Sequence, residues 1–257
     1  MSAALETAVP PQTAEPCPVC GVAARAAETQ HKAMLLWRCE GCGSVYMDPP
    51  PTDADRHAMY DDPYAGAQVG YYSKKEKKLR RLRKRARMLD AVVTTPGKKF
   101  LEVGCSGGFM VEAMRERGYD AYGLDPDGPG VEFARQEFPQ NTYFVGLLEE
   151  VEARGELGQY DAIYCSEVIE HVPRPAPFVA AIARHLVKGG VLNVTTPDVA
   201  HWNKPKDITQ WNEFCPPSHC TYFTPKGLRT IFEAHGLEVF RHRFNWKAGI
   251  QFYARKR

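Results

Sequence analysis

From residue 98 onward, apolar and polar positions change rhythm in a regular way. Short apolar runs fall at 99–103, 121–124, 142–145, 161–164 and 191–195, each bounded by turn residues. Between them, at roughly 107–117, 128–137 and 174–187, apolar residues recur three and four apart. The first pattern reads as strands and the second as helices. Strand and helix in alternation predict an α/β domain, a parallel sheet with helices on both faces. A helix at 228–235 and strands at 238–244 and 250–255 close the chain. Ahead of the alternation, 73–95 reads as one helix, with Leu79, Leu82, Ala86, Leu89 and Val93 on a stripe and a dense run of Lys and Arg around it. That run predicts a packed face with a solvated remainder, or a surface that meets phosphates. Residues 1–16 carry little pattern and read as a disordered tail. Residues 49–72, rich in Pro, Asp, Gly and Tyr, read as an irregular linker.

The strand at 99–103 runs into Gly104-Cys105-Ser106-Gly107-Gly108, and the next strand ends in Asp125. A strand, a glycine turn, a helix and a second strand ending in an acid form half of a nucleoside site. The glycines admit the ligand to the backbone, and the acid accepts hydrogen bonds from ribose hydroxyls. A dinucleotide fingerprint would need glycine at 106 and 109, where Ser106 and Phe109 stand.

Eight cysteines sit in a chain of 257 residues with a formal net charge of only +2, so no global electrostatic partner is implied. The N-terminus lacks a basic segment followed by an apolar run. No stretch reaches the ~18 apolar residues of a membrane span. A cytoplasmic protein is expected, and there cysteines more often bind metal than form disulfides. Cys17 and Cys20, then Cys39 and Cys42, form two C-x2-C knuckles, each followed by glycine. Four thiolates so spaced predict a closed, structural zinc site. The domains expected are therefore a tail at 1–16, a zinc ribbon at 17–48, a linker and basic helix at 49–95, and the α/β domain at 96–257. Within the ribbon the bases Arg25, Lys32 and Arg38 stand beside Glu28 and Glu40, with no basic stripe, which speaks against nucleic acid.

In open α/β sheets the ligand lies beyond the carboxyl ends of the strands. There the fourth strand continues into Ser166-Glu167-Val168-Ile169-Glu170-His171-Val172-Pro173. On a helical turn Glu167, Glu170 and His171 would share a face. Farther on, a long segment carries His201, Trp202, Trp211 and His219, and long aromatic loops at this edge usually cover substrates. A metal pair of Cys215 and Cys220 with His219 is a further reading of that segment.

Glu102, Gly104 and Gly108 resemble the first motif of class I S-adenosyl-L-methionine (SAM) methyltransferases, an acid followed by G-x-G-x-G, with Ser106 in place of the middle glycine. The string from Glu167 to His171 resembles E-V-x-E-H of the ubiquinone-biosynthesis O-methyltransferases. The run from His219 to Pro225 resembles their H-x-x-x-F-T-P segment, and the cysteine module resembles the ribbon ahead of bacterial sugar and small-molecule methyltransferases. The resemblance implies a Rossmann-like, seven-stranded, mostly parallel sheet whose last strand is antiparallel. It implies SAM held by Glu102, Gly104, Cys105, Ser106, Gly108, Asp125 and Pro126, with adenine against Leu147 and Leu148 and with Cys165 and Ser166 at its flank. Cys165 reads equally as a small buried hydrophobe. It also implies Glu167, Glu170 and His171 around a magnesium-type ion, or as a polar wall. His171 or His219, with Glu170, is then the catalytic group that takes a hydroxyl proton.

The expected activity is methyl transfer to an oxygen of a small molecule, a sugar or other polyhydroxylated metabolite first and a phenol or quinone precursor second. A phosphate on the acceptor would meet the basic helix. The alternatives are an RNA base methyltransferase and a non-catalytic protein that kept the fold.

Overall fold

The structure, a computed structural model, describes residues 15–52, 54, 55, 58 and 74–257. The expected tail up to residue 14 and the tyrosines of the linker lie outside the described residues. In chain order the strands are β1 (Arg25–His31), β2 (Met34–Cys39), β3 (Val45–Met47), β4 (Lys99–Val103), β5 (Asp120–Asp125), β6 (Thr142–Val145), β7 (Tyr160–Ser166), β8 (Leu186–Pro197), β9 (Thr221–Tyr222), β10 (Leu237–His242) and β11 (Gly249–Lys256). The α-helices are α1 (Lys75–Asp90), α2 (Phe109–Arg115), α3 (Gly128–Glu137), α4 (Leu148–Ala153), α5 (Pro175–His185) and α6 (Pro225–Ala234).

Seven strands form one sheet in the order β10-β11-β8-β7-β4-β5-β6. The five from β4 to β8 run parallel, and β11 is antiparallel to both β8 and β10. Alternation along the strands sorts side chains to two faces. Phe100, Ala162 and Tyr164 pack with α1, α2 and α3. Leu101, Val103, Ile163 and Cys165 pack with α4, α5 and α6. Both faces are covered, as a buried parallel sheet requires.

Some boundaries shift for local reasons. Gly108 has φ of +72° and caps α2, so that helix starts at Phe109 rather than 107. Strand β8 begins at Leu186, with its pairing to β7 broken between Tyr160 and Ala162 where Gly189 takes φ of +80°. The expected strand at 191–195 is only its regular part.

The second sheet, β1-β2-β3-β9, crosses the expected domain boundary. Its first three strands come from the cysteine module. The fourth, β9, comes from the long segment that follows β8, with Val45 opposite Tyr222 and Tyr46 opposite Thr221. One core lies between them: Leu36, Val45 and Met47 of the module pack with Val199, Ile208, Trp211, Cys220 and Tyr222 of that segment. His31 meets the Phe214 ring edge-on at 5.7 Å.

Candidate active site

A cleft of about 570 Å³ opens at the carboxyl ends of β4, β5 and β7. Its floor is the glycine turn. The amides of Gly104 and Cys105 both donate to the Leu124 carbonyl, at 2.9 and 3.0 Å, which folds the turn over the end of β5. Gly104 has φ of +79°, and a Cβ there would lie 2.3 Å from Val168 Cγ2. Glycine is required both by the backbone and by this contact. Ser106, where the resembling motif has glycine, still adopts φ of +43°. A left-handed non-glycine residue costs roughly 1–2 kcal/mol.

Asp125 ties the turn together. Its carboxylate accepts the Ser106 amide at 2.7 Å and the Asp127 amide at 2.9 Å. Burial outweighs those two bonds and pushes its pKa up to about 6. Glu102 is buried beneath the turn, accepts the Val111 amide at 3.2 Å, and is held well above the usual carboxylate range, chiefly by desolvation.

The other walls are Pro126, Leu147 and Leu148 on one side and Ser166, Glu167 and His171 on the other. Two expected cofactor residues lie elsewhere. Gly108 is absent from the cleft walls; its lack of a side chain makes room for Tyr143, whose hydroxyl would stand 2.6 Å from a Cβ. Cys165 is fully buried in the core behind the sheet, because its neighbours on β7 alternate toward the opposite face. The small-hydrophobe reading of Cys165 is the one its surroundings match.

Residues 166–171 depart from the expected helical face. Glu167 takes φ of +57°, and only Ile169–His171 form a single 3-10 turn. Glu167 therefore turns to Thr195, whose hydroxyl donates to its carboxylate at 2.8 Å. Glu170 is wholly buried and lies off the cleft walls; Thr196 donates to its Oε2 at 2.9 Å, and its Oε1 has no hydrogen-bond partner.

The group that gathers is Glu170, His171 and His219, with one ligand atom from each within 4.8 Å of the others. His219 arrives from the long segment because the Cys220 amide donates to the Glu170 carbonyl at 2.9 Å. The two imidazole rings meet edge-on at 4.5 Å. His171 Nδ1 donates to the Ser218 carbonyl at 2.8 Å, and His219 Nδ1 donates to the Glu213 carbonyl at 2.7 Å. Both rings are thus held as the tautomer with a bare Nε2. Burial, with His219 alongside, pushes His171 down to about 4; burial lowers His219 as well.

This cluster does not fit the magnesium ion. Magnesium takes oxygen ligands in near-octahedral geometry, and two of the three donors here are imidazole nitrogens. Cys215 and Cys220 join no ligand group among the described residues.

The four ribbon cysteines do fit zinc. All four sulfurs lie within 4.8 Å of one another, with Cys17 and Cys42 at 3.8 Å and Cys20 and Cys39 at 3.5 Å. Zn–S bonds of about 2.3 Å in a tetrahedron place sulfurs roughly 3.8 Å apart. The hydrogen bond between Cys17 and Cys42, aided by Ser44, lowers Cys42 and raises Cys17 in return, so the pair shares one thiolate. Of the ribbon's bases, Arg25 is paired with Asp48 and stacked on Trp37, and Arg38 is paired with Glu28 at 2.7 Å.

Comparison with known proteins places this cleft. A family model described as a methyltransferase domain matches residues 71–242. The chain belongs to the SAM-dependent methyltransferases. It is 44% identical over 98 residues to the ubiquinone biosynthesis O-methyltransferase of Acinetobacter baumannii (strain AYE), a match covering 37% of this chain and 41% of that protein. The corresponding protein of Pectobacterium carotovorum is 39% identical over 97 residues, with the same coverage. The chain thus spans under half the length of these relatives. Among solved structures, it resembles the magnesium protoporphyrin IX methyltransferase of Synechocystis PCC 6803 with SAM bound, at a TM-score of 0.58 and 15% identity over 79% of this chain and 96% of that one. It also resembles a TehB-like SAM-dependent methyltransferase of Corynebacterium glutamicum, at a TM-score of 0.55 and 19% identity over 75% of this chain and all of that one. At such identities these two likenesses speak for the fold alone.

For a methyltransferase, the cleft contains groups that the sequence reading did not select. Arg81, Leu82 and Arg85 of the basic helix line it, and Arg85 donates to the Tyr164 hydroxyl at 2.7 Å. Their signal was a run of cations with an apolar stripe at helical spacing. The stripe marks Leu79, Ala86 and Leu89, which are the buried residues of α1. Which arginines flank that stripe on the cleft side is decided by packing on α2.

Proposed function

We propose that this methyltransferase transfers a methyl group to a hydroxyl oxygen of a small polyhydroxylated acceptor, with His171 as general base. The observation that carries the proposal is an imidazole on the wall of the cleft that the glycine turn also lines, its Nδ1 tied to the Ser218 carbonyl and its pKa lowered by burial. Asp125 would accept the ribose hydroxyls with the lone pairs left over from Ser106 and Asp127. Leu147 and Leu148 would cover the adenine. Arg85, placed next to Glu102 and Tyr164, supplies the charge complement for an amino-acid carboxylate.

Bound SAM supplies an electrophilic methyl group on a sulfonium. The chain's own residues do the rest. His171 Nε2 accepts the hydroxyl proton as the oxygen–carbon bond forms and the sulfur–carbon bond breaks. The Ser218 carbonyl fixes the ring's orientation, and His219 packs against it. Orientation and exclusion of water are the main contributions that such a site makes.

The paired ribbon arginines favour a small acceptor over RNA. The test is methyl transfer from labelled SAM to a panel of sugar nucleotides, polyols and phenols. His171→Gln is expected to lower kcat by about 10²–10⁴ with SAM affinity retained. Unchanged turnover in that variant removes His171 from the chemistry. Turnover that magnesium stimulates after EDTA treatment and gel filtration removes the metal-free reading.

A further inference from the structure

A second pocket, of about 290 Å³, lies between the loop after β8 and the turn joining β10 to β11. Its walls carry Asn203, Gln210, Asn212, Glu213 and Lys247 around Trp211. Beside it stand three of the most exposed large apolar side chains of the described residues: Trp202 at 68%, Phe244 at 69% and Trp246 at 71%. Their positions are built. Trp246 meets Trp202 edge-on at 6.3 Å and Phe244 at 5.3 Å, and His201 stacks on Trp202 at 5.5 Å. The two loops are tied beneath them, with His201 Nε2 donating to the Asn245 carbonyl at 3.0 Å and Asn203 Nδ2 donating to the Trp246 carbonyl at 3.1 Å.

The chemistry of this set is specific. Planar side-chain amides present a donor and an acceptor side by side, which suits neighbouring hydroxyls. A carboxylate adds acceptors and an ammonium adds donors. Indole faces cover the C–H face of a saturated ring while leaving its hydroxyls free. A membrane would meet amides and a carboxylate here instead of an apolar floor. A phosphate backbone would find Lys247 and Glu213 in the walls, with Lys204 turned onto the Trp211 ring at 6.0 Å and donating to the Pro205 carbonyl.

The pocket is linked to His171 through two contacts. Glu213, one of its walls, holds His219 through its own backbone carbonyl, and His219 packs on His171. We infer that this pocket and its tryptophan shelf form a subsite for a pyranose unit of the acceptor. The inference deepens the proposed function and rests on its reading of the long loop as the acceptor cover.

The test uses the full chain, titrated with cellotriose, chitotriose and UDP-glucose, and follows tryptophan emission and calorimetry. A saturable response is expected from a saccharide. Trp202→Ala and Trp246→Ala, both at exposed positions, should each weaken it about tenfold, the scale of one aromatic stacking contact. Asn212→Ala should act in the same direction. Response to the neutral saccharides assigns a glycan source; response to UDP-glucose alone assigns a nucleotide sugar. Asp125→Ala should leave saccharide binding intact, so a failure of the cofactor reading is seen separately. The inference is overturned if no saccharide saturates, if both tryptophan variants bind undiminished, or if only phosphatidylglycerol vesicles bind through the tryptophans.

Discussion

The union of the ribbon with the acceptor loop predicts how one buried hydroxyl should behave. Thr224 Oγ1 accepts the Gly227 amide at 2.9 Å, capping α6, and donates to the carbonyl of Cys42 at 2.6 Å. Thr224→Val keeps the shape and deletes both bonds. Loss of an N-cap costs about 1 kcal/mol. A buried carbonyl left without its donor costs roughly another 1–3 kcal/mol. At ~2–4 °C per kcal/mol for a chain of this size, the melting temperature should fall by roughly 4–16 °C. The two parts separate on metal removal. The cap belongs to α6 and persists. The Cys42 part exists only while the knuckle is closed, so the variant's deficit should shrink to the cap part once zinc is stripped. The assay is thermal unfolding of native and variant proteins, zinc-loaded and chelated, with SAM binding followed by calorimetry. SAM affinity should be unchanged throughout, because no ribbon residue lines the cleft among those described. An equal deficit with and without zinc would refute the coupling.

Three further outcomes test the cleft. Asp125, pushed up to about 6 by burial, binds more protons folded than unfolded between its ordinary value near ~3.9 and that point, so its contribution to stability declines as pH rises through this window. In the proposed site its ionised form accepts the ribose hydroxyls, so SAM affinity by calorimetry should fall as pH is lowered from 7 to 5; a flat profile, or one that Asp125→Asn retains, contradicts the assignment. His171, held at about 4, should stay competent as a base well below the usual histidine range. The acid limb of the kcat profile is then expected near pH 4–5, and a limb near ~6.5 would point to a different base. Gly104→Ala combines a left-handed backbone with a 2.3 Å clash on Val168 and should cost about 2–5 kcal/mol. Adding Val168→Ala should return the clash share in urea unfolding, and no recovery would show that the turn does not bear on the histidine segment.

The parallel sheet was legible because its signals are local. Phe100 to Gly108 carries a short apolar strand and then a turn closed by Gly104, and each later strand repeats the rhythm within a few residues. The four cysteines were legible for the same reason, since each knuckle spans four residues. The cluster of Glu170, His171 and His219 was half legible. Glu170 and His171 stand in one string, but the partner that meets them is His219, brought in by a Cys220–Glu170 backbone bond across 50 residues. Glu167 stands on the cleft wall with His171 but outside this three-residue group, since φ of +57° breaks the helical spacing assumed for it. Hardest to read was β9, a two-residue strand that has no periodicity of its own and pairs with β3 from the other end of the sequence.

That pairing bears on what a zinc ion held by the four cysteines would do. A module of some thirty residues falls below the ~40 at which a core can close without a metal or other support. Here the module also borrows its core: Leu36, Val45 and Met47 pack with Trp211 and Tyr222 of the long segment after β8, and that segment is buried in return. A metal held there, the loop and His219 are expected to gain or lose order together. The glycine-turn side of the cleft draws on β4, β5 and α1, none of which enters that core, although Leu101, Val103 and Leu124 share the larger core with Cys17, Val19, Cys39, Cys42 and Tyr46. The loop side reaches the cleft through the edge-on contact of His219 with His171. Loss of zinc should raise the acceptor KM and lower kcat while SAM still binds, a split that a ribbon serving only overall stability would not produce.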